Sequence, residues 1–215
     1  MKKLTLMLIG IGLMQVSYAQ FEGILLYDCT IRNKTLTTIY VSTTKVLLEA
    51  KTFPMKGGVT DISAGKEQDD LLFDFEAGKA TRLNSRYRKA LTQDMAPVTA
   101  DKLARAKDAD ITITDLGPEK VDKYDCHHFS LNIKGNTRDL WVTKDLGTAP
   151  IYMISLFDYF PTGSLLINKL KEAGGEGIVV KSQSGNVVVI LTTVQRKTVP
   201  PSFFQIPAGY SIEKP

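Results

Sequence analysis

Between Thr148 and Gly175 the apolar residues change their spacing, and that change limits what the chain can build. Elsewhere β-branched and aromatic residues alternate or cluster, as they do in strands. Here Thr148 is placed to cap a helix with Pro150 near its start, where a missing N–H costs little. Met153, Leu156, Phe157 and Phe160 follow at helical spacing until Pro161 breaks the run. Ser164 is placed to cap a second helix, with Leu166, Ile167, Leu170 and Ala173 on one face and Gly174 as its stop. Two short, heavily apolar helices in a β-rich chain need a hollow to fill. The expected fold is α+β and mainly β: a strongly curved antiparallel sheet, or half-barrel, with short helices covering its concave face.

Residues 1–19 read as a signal peptide. Lys2 and Lys3 precede an apolar stretch, Leu4 to Met14, that is too short to span a bilayer, and Ser17-Tyr18-Ala19 supplies small residues for cleavage. Cleavage after Ala19 leaves 20–215, expected as a single domain in the periplasm or secreted further. No later stretch is long and apolar enough for a membrane helix, so stable membrane insertion is not expected. The net charge is +4, of which Lys2 and Lys3 carry two, and the other basic residues are interspersed with acidic ones. That distribution argues against nucleic acid as a partner. Cys29 and Cys126 are the two cysteines. An oxidising compartment permits one disulfide between them; strand parity argues mildly against it, and a bulge would remove the objection.

In chain order, Phe21 to Ile31 reads as a strand with Leu25, Tyr27 and Ile31 on one face, followed by a turn at Asn33-Lys34. Thr37 to Ala50 reads as one long strand or a bent pair, with Ile39 and Val41 sharing a face. Pro54 and Gly57-Gly58 mark a loop. Leu71, Phe73 and Phe75 alternate with Asp74 and Glu76, and a hairpin at Glu76–Lys79 leads into Ala80 to Leu91, where Arg82, Arg86, Arg88 and Lys89 read as solvent-facing strand positions. Thr99 to Asp108 suits a short helix. Ile111 to Leu116 reads as a strand ended by Gly117-Pro118. Tyr124 to Ile133, bearing Phe129, Leu131 and Ile133, and Thr137 to Lys144 form the next hairpin. Gly177 to Ser182 and Asn186 to Val194 form the last, with Val187 to Leu191 apolar on both faces and expected to be covered on both. The prolines of the 200–207 tail favour an extended path that pins the end of the sheet.

Two patches resemble a family of uncharacterised exported bacterial proteins: Glu119 to Phe129 with Leu140 to Gly147, and Pro201 to Tyr210 with its Phe-x-Ile-Pro-x-Gly-Tyr pattern. That family is similar in architecture to the periplasmic lipoprotein carrier and to mycobacterial lipid-carrier lipoproteins. The resemblance implies a half-barrel closed by helices and brings no catalytic residues with it. The family has Gly before the Tyr of its Tyr-x-Cys patch, whereas this chain has Lys123 before Tyr124.

The polar constellations favour structural explanations. His127 and His128 are the only histidines and point to opposite faces of a strand, so they do not converge on one ion, and no metal or cofactor is expected. Asp69-Asp70 and Asp122/Asp125 suit turns and solvated faces. No Gly-x-Ser-x-Gly is present, and catalysis is not expected. What remains is apolar. The expected ligand-binding set is Leu25, Tyr27, Ile39, Val41, Leu71, Phe73, Phe75, Phe129, Leu131 and Ile133, lining a cavity, with Met153, Leu156, Phe157 and Phe160 as its lid. The expected function is a soluble, non-catalytic binder or carrier of a lipid acyl chain or other apolar small molecule. The alternative is an envelope interaction or sensing module, with a protein partner and a self-filled core on the same fold.

Overall fold

The computed structural model describes residues 20–30, 33–56, 59–94, 111–133, 135–149 and 163–213. β1 (Gly23–Thr30), β2 (Asn33–Val41) and β3 (Lys45–Lys56) form a meander. Ser42 fastens the β2–β3 turn: its N–H donates to the Lys45 carbonyl at 2.9 Å, and its Oγ accepts the Lys45 N–H at 3.0 Å. β4 (Val59–Thr60) and β5 (Lys66–Glu67) are short additions to β3. β6 (Asp70–Asp74), β7 (Lys79–Asn84) and β8 (Lys89–Asp94) extend the sheet by hairpins. A second meander comprises β9 (Ile111–Val121), β10 (Tyr124–Ile133) and β11 (Asn136–Thr143). After helix α1 (Gly163–Glu172) come β12 (Ile178–Ser184), β13 (Val187–Arg196) and β14 (Ser211–Glu213).

Every described strand of the main path lies in one sheet, ordered β14-β8-β7-β6-β3-β2-β1-β13-β12-β11-β10-β9. β13 joins the two meanders by pairing with β1 on one side and β12 on the other. β14 lies parallel to β8; the other pairs on the path are antiparallel. The path has two ends, so this large sheet stays open. No described helix is long and apolar enough to cross a membrane.

Several local expectations need correction. Asn33 and Lys34 are not a turn; they pair with Pro54 and Phe53 at the start of β2, and Pro54 is a strand residue as well. Thr37 to Ala50 is the bent pair, turning at Ser42–Thr44. Ala80 to Leu91 is two strands, because Ser85–Arg88 turns and Arg88 takes φ +50. Gly117-Pro118 does not end β9. A bulge opposite His128/Phe129 absorbs the irregularity, Gly117 takes φ +95, and the Asp115 carboxylate accepts its N–H at 2.8 Å. Val187 to Leu191 is covered on one face only, since Ile190 keeps 37% of its surface. In the tail, Pro201–Phe204 is a 3-10 turn, not extended chain, and it seats Phe204 in a buried cluster. The helices expected at 99–108 and 148–160, the leader 1–19 and the Gly57-Gly58 loop lie outside the described residues, apart from Thr148 and Ala149.

Three apolar clusters hold the sheet. The first gathers Phe21, Leu25, Tyr27, Ile39, Val41, Val46, Phe73 and neighbours. In the second, Leu166 and Leu170 of α1 pack with Ile111, Phe129, Leu131, Leu140, Val142 and Val179. The third joins Leu47, Leu72, Leu83 and Ala90 to Val199 and Phe204 of the tail. The pairings Phe129–Leu140–Ser182–Val189–Cys29 run straight across five strands. They put Phe129 and Leu140 on the same side of the sheet as Val189, whereas Cys126 and Trp141 of the first cluster lie on the opposite face of β10 and β11. The third cluster takes the alternate residues of β3 and β6, and so lies on the other side.

α1 stops as its sequence requires. Gly174 takes φ +80, its N–H donates to the Lys171 carbonyl at 2.8 Å, and the Gly175 N–H donates to the Leu170 carbonyl at 2.7 Å, which together form a Schellman motif. Burying Leu166 and Leu170 stabilises the contact by about 1.5–3 kcal/mol per side chain. Beside it, the Tyr27 hydroxyl donates to the Val179 carbonyl at 2.8 Å, tying β1 to β12 across β13. Burial also holds the Tyr27 phenol protonated well beyond its ordinary range. Tyr27→Phe leaves that carbonyl without its donor and should cost about 1–2 kcal/mol. Urea unfolding followed by Trp141 fluorescence should show a lower midpoint with an unchanged slope.

Candidate functional site

The apolar side of the sheet can be followed row by row. Gly23–Val41–Val46–Phe73–Ala80–Gln93 is one cross-strand row; Leu25–Ile39–Leu48–Leu71–Arg82–Leu91 is the next. Six of the expected lining residues, Leu25, Ile39, Val41, Leu71, Phe73 and Tyr27, lie on or beside these rows in the first cluster. Phe75 follows the end of β6, donates its N–H to the Thr44 carbonyl at 2.9 Å and stacks on Phe73 with ring centroids 6.2 Å apart. Phe129, Leu131 and Ile133 belong instead to the second cluster, under α1. Met153, Leu156, Phe157 and Phe160 lie outside the described residues.

Cover is graded along the second row, whereas the first stays buried from Val41 through Val46 and Phe73 to Ala80. Leu25, Val41, Phe129 and Leu131 have no accessible surface, so they face no space that a water molecule could enter. Leu48, Leu71, Phe75 and Leu91 are only half-buried, and Arg82 is exposed between Leu71 and Leu91. The second row therefore opens towards β6, β7 and β8. A separate groove of about 350 Å³ lies beside the β2–β3 turn, lined by Ser42, Thr44, Lys45, Thr198, Val199 and Phe204 among others. None of the expected lining residues borders it.

His127 and His128 face opposite ways. The His127 ring stacks on Phe129 at 6.1 Å, and its Nδ1 lies 3.5 Å from the Asp115 carboxylate. His128 stacks on Trp141 at 4.2 Å with Nδ1 3.0 Å from Glu119. Its Nε2 is 3.7 Å from Asp139, too far for a hydrogen bond, and is buried without a partner, as is the Trp141 Nε1. The Lys181 ammonium completes this stack, 3.9 Å from the Trp141 ring centroid.

Asp69 accepts a hydrogen bond from the Asn84 amide at 2.7 Å, which makes it a structural brace. Asp70 is pushed up to about 6, first by burial and then by Glu49, Glu67 and Asp69. Folding thus favours protonated Asp70. The stability this contributes is complete below the ordinary value of 3.8 and is lost as pH rises through about 6. Asp70→Asn should raise the melting temperature at pH 7.5, by about 1 kcal/mol of stability once solvent screening is allowed for, with the gain vanishing near pH 4. Thermal melts of both proteins at the two pH values check the sign.

Cys29 and Cys126 are both free, so the candidate disulfide is not formed. β1 and β10 are four strand spacings apart in the sheet, roughly 19 Å, beyond the reach of a disulfide. Burial raises both thiols, Cys126 to about 11. Two thiols should titrate in denaturant. In the native protein at pH 8, Cys29 should react first, because Cys126 is buried.

These features define a class: a mainly β domain with one open sheet, one apolar side partly covered by a helix, and the other side sealed at one end by its own tail. The chain belongs to the DUF4412 family, a domain of unknown function, whose family model matches residues 21–210. No curated protein matches it. Among solved structures, PNGF-II in its P21 and C2 crystal forms is similar over 89% of this chain, at 16% and 17% identity and a TM-score of 0.48 in each case. The chain spans only 31% and 30% of the length of those two chains. A DUF1329 family protein from Desulfovibrio piger is similar over 85% of this chain and 88% of its own, at 10% identity and a TM-score of 0.25. Likenesses this distant assign neither a fold nor an activity.

Proposed function

We propose that this chain is an exported, non-catalytic binder or carrier of a lipid acyl chain or similar apolar ligand, acting as a soluble half-barrel in the periplasm or beyond. The apolar side of the sheet is its concave lining and α1 is a cover. The observation that carries this reading is the graded row from buried Leu25 and Ile39 through half-buried Leu48 and Leu71 to the exposed edge. Full burial at its deep end fits an unliganded carrier. An empty apolar cavity costs on the order of 24 cal/mol per Å³, so a carrier without a guest fills its hollow with its own side chains. A guest then enters by displacing cover, gaining ~0.8 kcal/mol for each methylene it buries.

The same zero accessibility of Leu25, Val41, Phe129 and Leu131 favours a second reading, in which the core stays permanently filled and the fold serves as an envelope interaction or sensing module. Native mass spectrometry after gentle purification separates the two. A carrier should show added lipid masses and take up a fluorescent fatty acid, with quenching or blue-shifted emission. Repeated recovery free of lipid, with no uptake and one stable protein partner in a pulldown, would favour the second reading.

A further inference from the structure

We propose that Arg82 anchors the anionic headgroup of an amphiphile whose tail lies along the row leading from Leu71 towards Leu25. This deepens, and rests on, the ligand-binding reading above. Arg82 is exposed on a strand whose neighbours Ala80, Thr81 and Leu83 are all buried, and it shares a face with Ala80 rather than with Leu83. It pairs directly with Leu71 on one side and Leu91 on the other, both half-buried, so a guanidinium interrupts an otherwise aliphatic row at its open end.

Charge pairing singles it out further. Nearby lysines on the same strands are matched to carboxylates: Lys45 to Asp74 at 2.7 Å, Lys79 to Asp94, and Lys89 to Glu213 at 2.6 Å. Among the described residues Arg82 has no such partner. A guanidinium in this position offers a planar fork that accepts a carboxylate or a phosphate through two parallel hydrogen bonds, beside aliphatic surface that suits the adjoining tail. From Arg82 the row crosses Leu71, Leu48 and Ile39 to Leu25, four strand spacings or about 19 Å, room for an extended long acyl chain. The ligand class is therefore a single-chain amphiphile with an anionic head, fatty carboxylate or monoalkyl phosphate.

Displacement of the neutral probe N-phenyl-1-naphthylamine by palmitate, hexadecyl phosphate and hexadecanol tests this on the full mature chain. The wild-type protein should bind at least one of the two anions about ten-fold more tightly than the alcohol. Arg82→Gln should abolish that preference while leaving hexadecanol affinity and the melting temperature unchanged, and Arg82→Lys should retain part of it. Preference for palmitate alone identifies a carboxylate head; preference for the phosphate alone identifies a phosphate head. Equal wild-type affinity for acid and alcohol, or a preference that survives Arg82→Gln, would overturn the assignment and leave the apolar site standing. Failure of the wild-type chain to bind the probe or any of the three compounds would overturn the binding reading itself, and this assignment with it.

Discussion

An open sheet with a continuous apolar side must bury that side or expose a patch that invites association. This constraint organises the rest of the molecule. The register carries Phe129 and Leu140 of the second cluster onto the side of Val189 and Cys29, and the Tyr27 hydroxyl ties that side to the Val179 carbonyl. α1 covers the β10–β12 end of that side with Leu166 and Leu170. On the opposite side, Val199 and Phe204 of the tail cover Leu47, Leu72 and Leu83, and β14 then fastens the tail to the edge of β8.

The resulting stability is uneven. Strands β1, β2 and β13 are paired on both sides, whereas among the described residues of α1 Leu166 and Leu170 are buried in the second cluster and the Lys169 ammonium donates to the Ile111 carbonyl at 3.1 Å.

Much of this was legible in the sequence, and the failures have identifiable causes. Period-two alternation located β1, β6 and β10 and assigned Leu25, Tyr27, Phe73 and Phe129 to buried faces, because one-sided burial writes itself directly into the pattern. The end of α1 at Gly174 was equally legible. Turn residues were less trustworthy. Gly117-Pro118 looked like a strand end, yet Asp115 satisfies the Gly117 amide and a bulge carries β9 through, which depends on a partner strand far along the chain. The distance between Cys29 and Cys126 depends on β13 inserting beside β1, which no local pattern records. Arg82 is the solvent-facing strand position its sequence suggests, but only the register sets it between Leu71 and Leu91.

Energetics sets what such a site can do. A tail that brings ten methylenes out of water gains ~8 kcal/mol, which taken alone corresponds to micromolar binding. Displacing the side chains that now bury Leu25 and Ile39 at the deep end of the row offsets part of that gain. An apolar face alone would then hold its guest weakly and without preference among tails. Adding one charge-assisted, two-pronged contact at the open end restores roughly 1.5–3 kcal/mol. It also orients the chain head-outwards, where a receiving membrane or protein can take it. Under the binding proposal, the aliphatic row supplies affinity and the exposed Arg82 guanidinium at its open end supplies selectivity between heads.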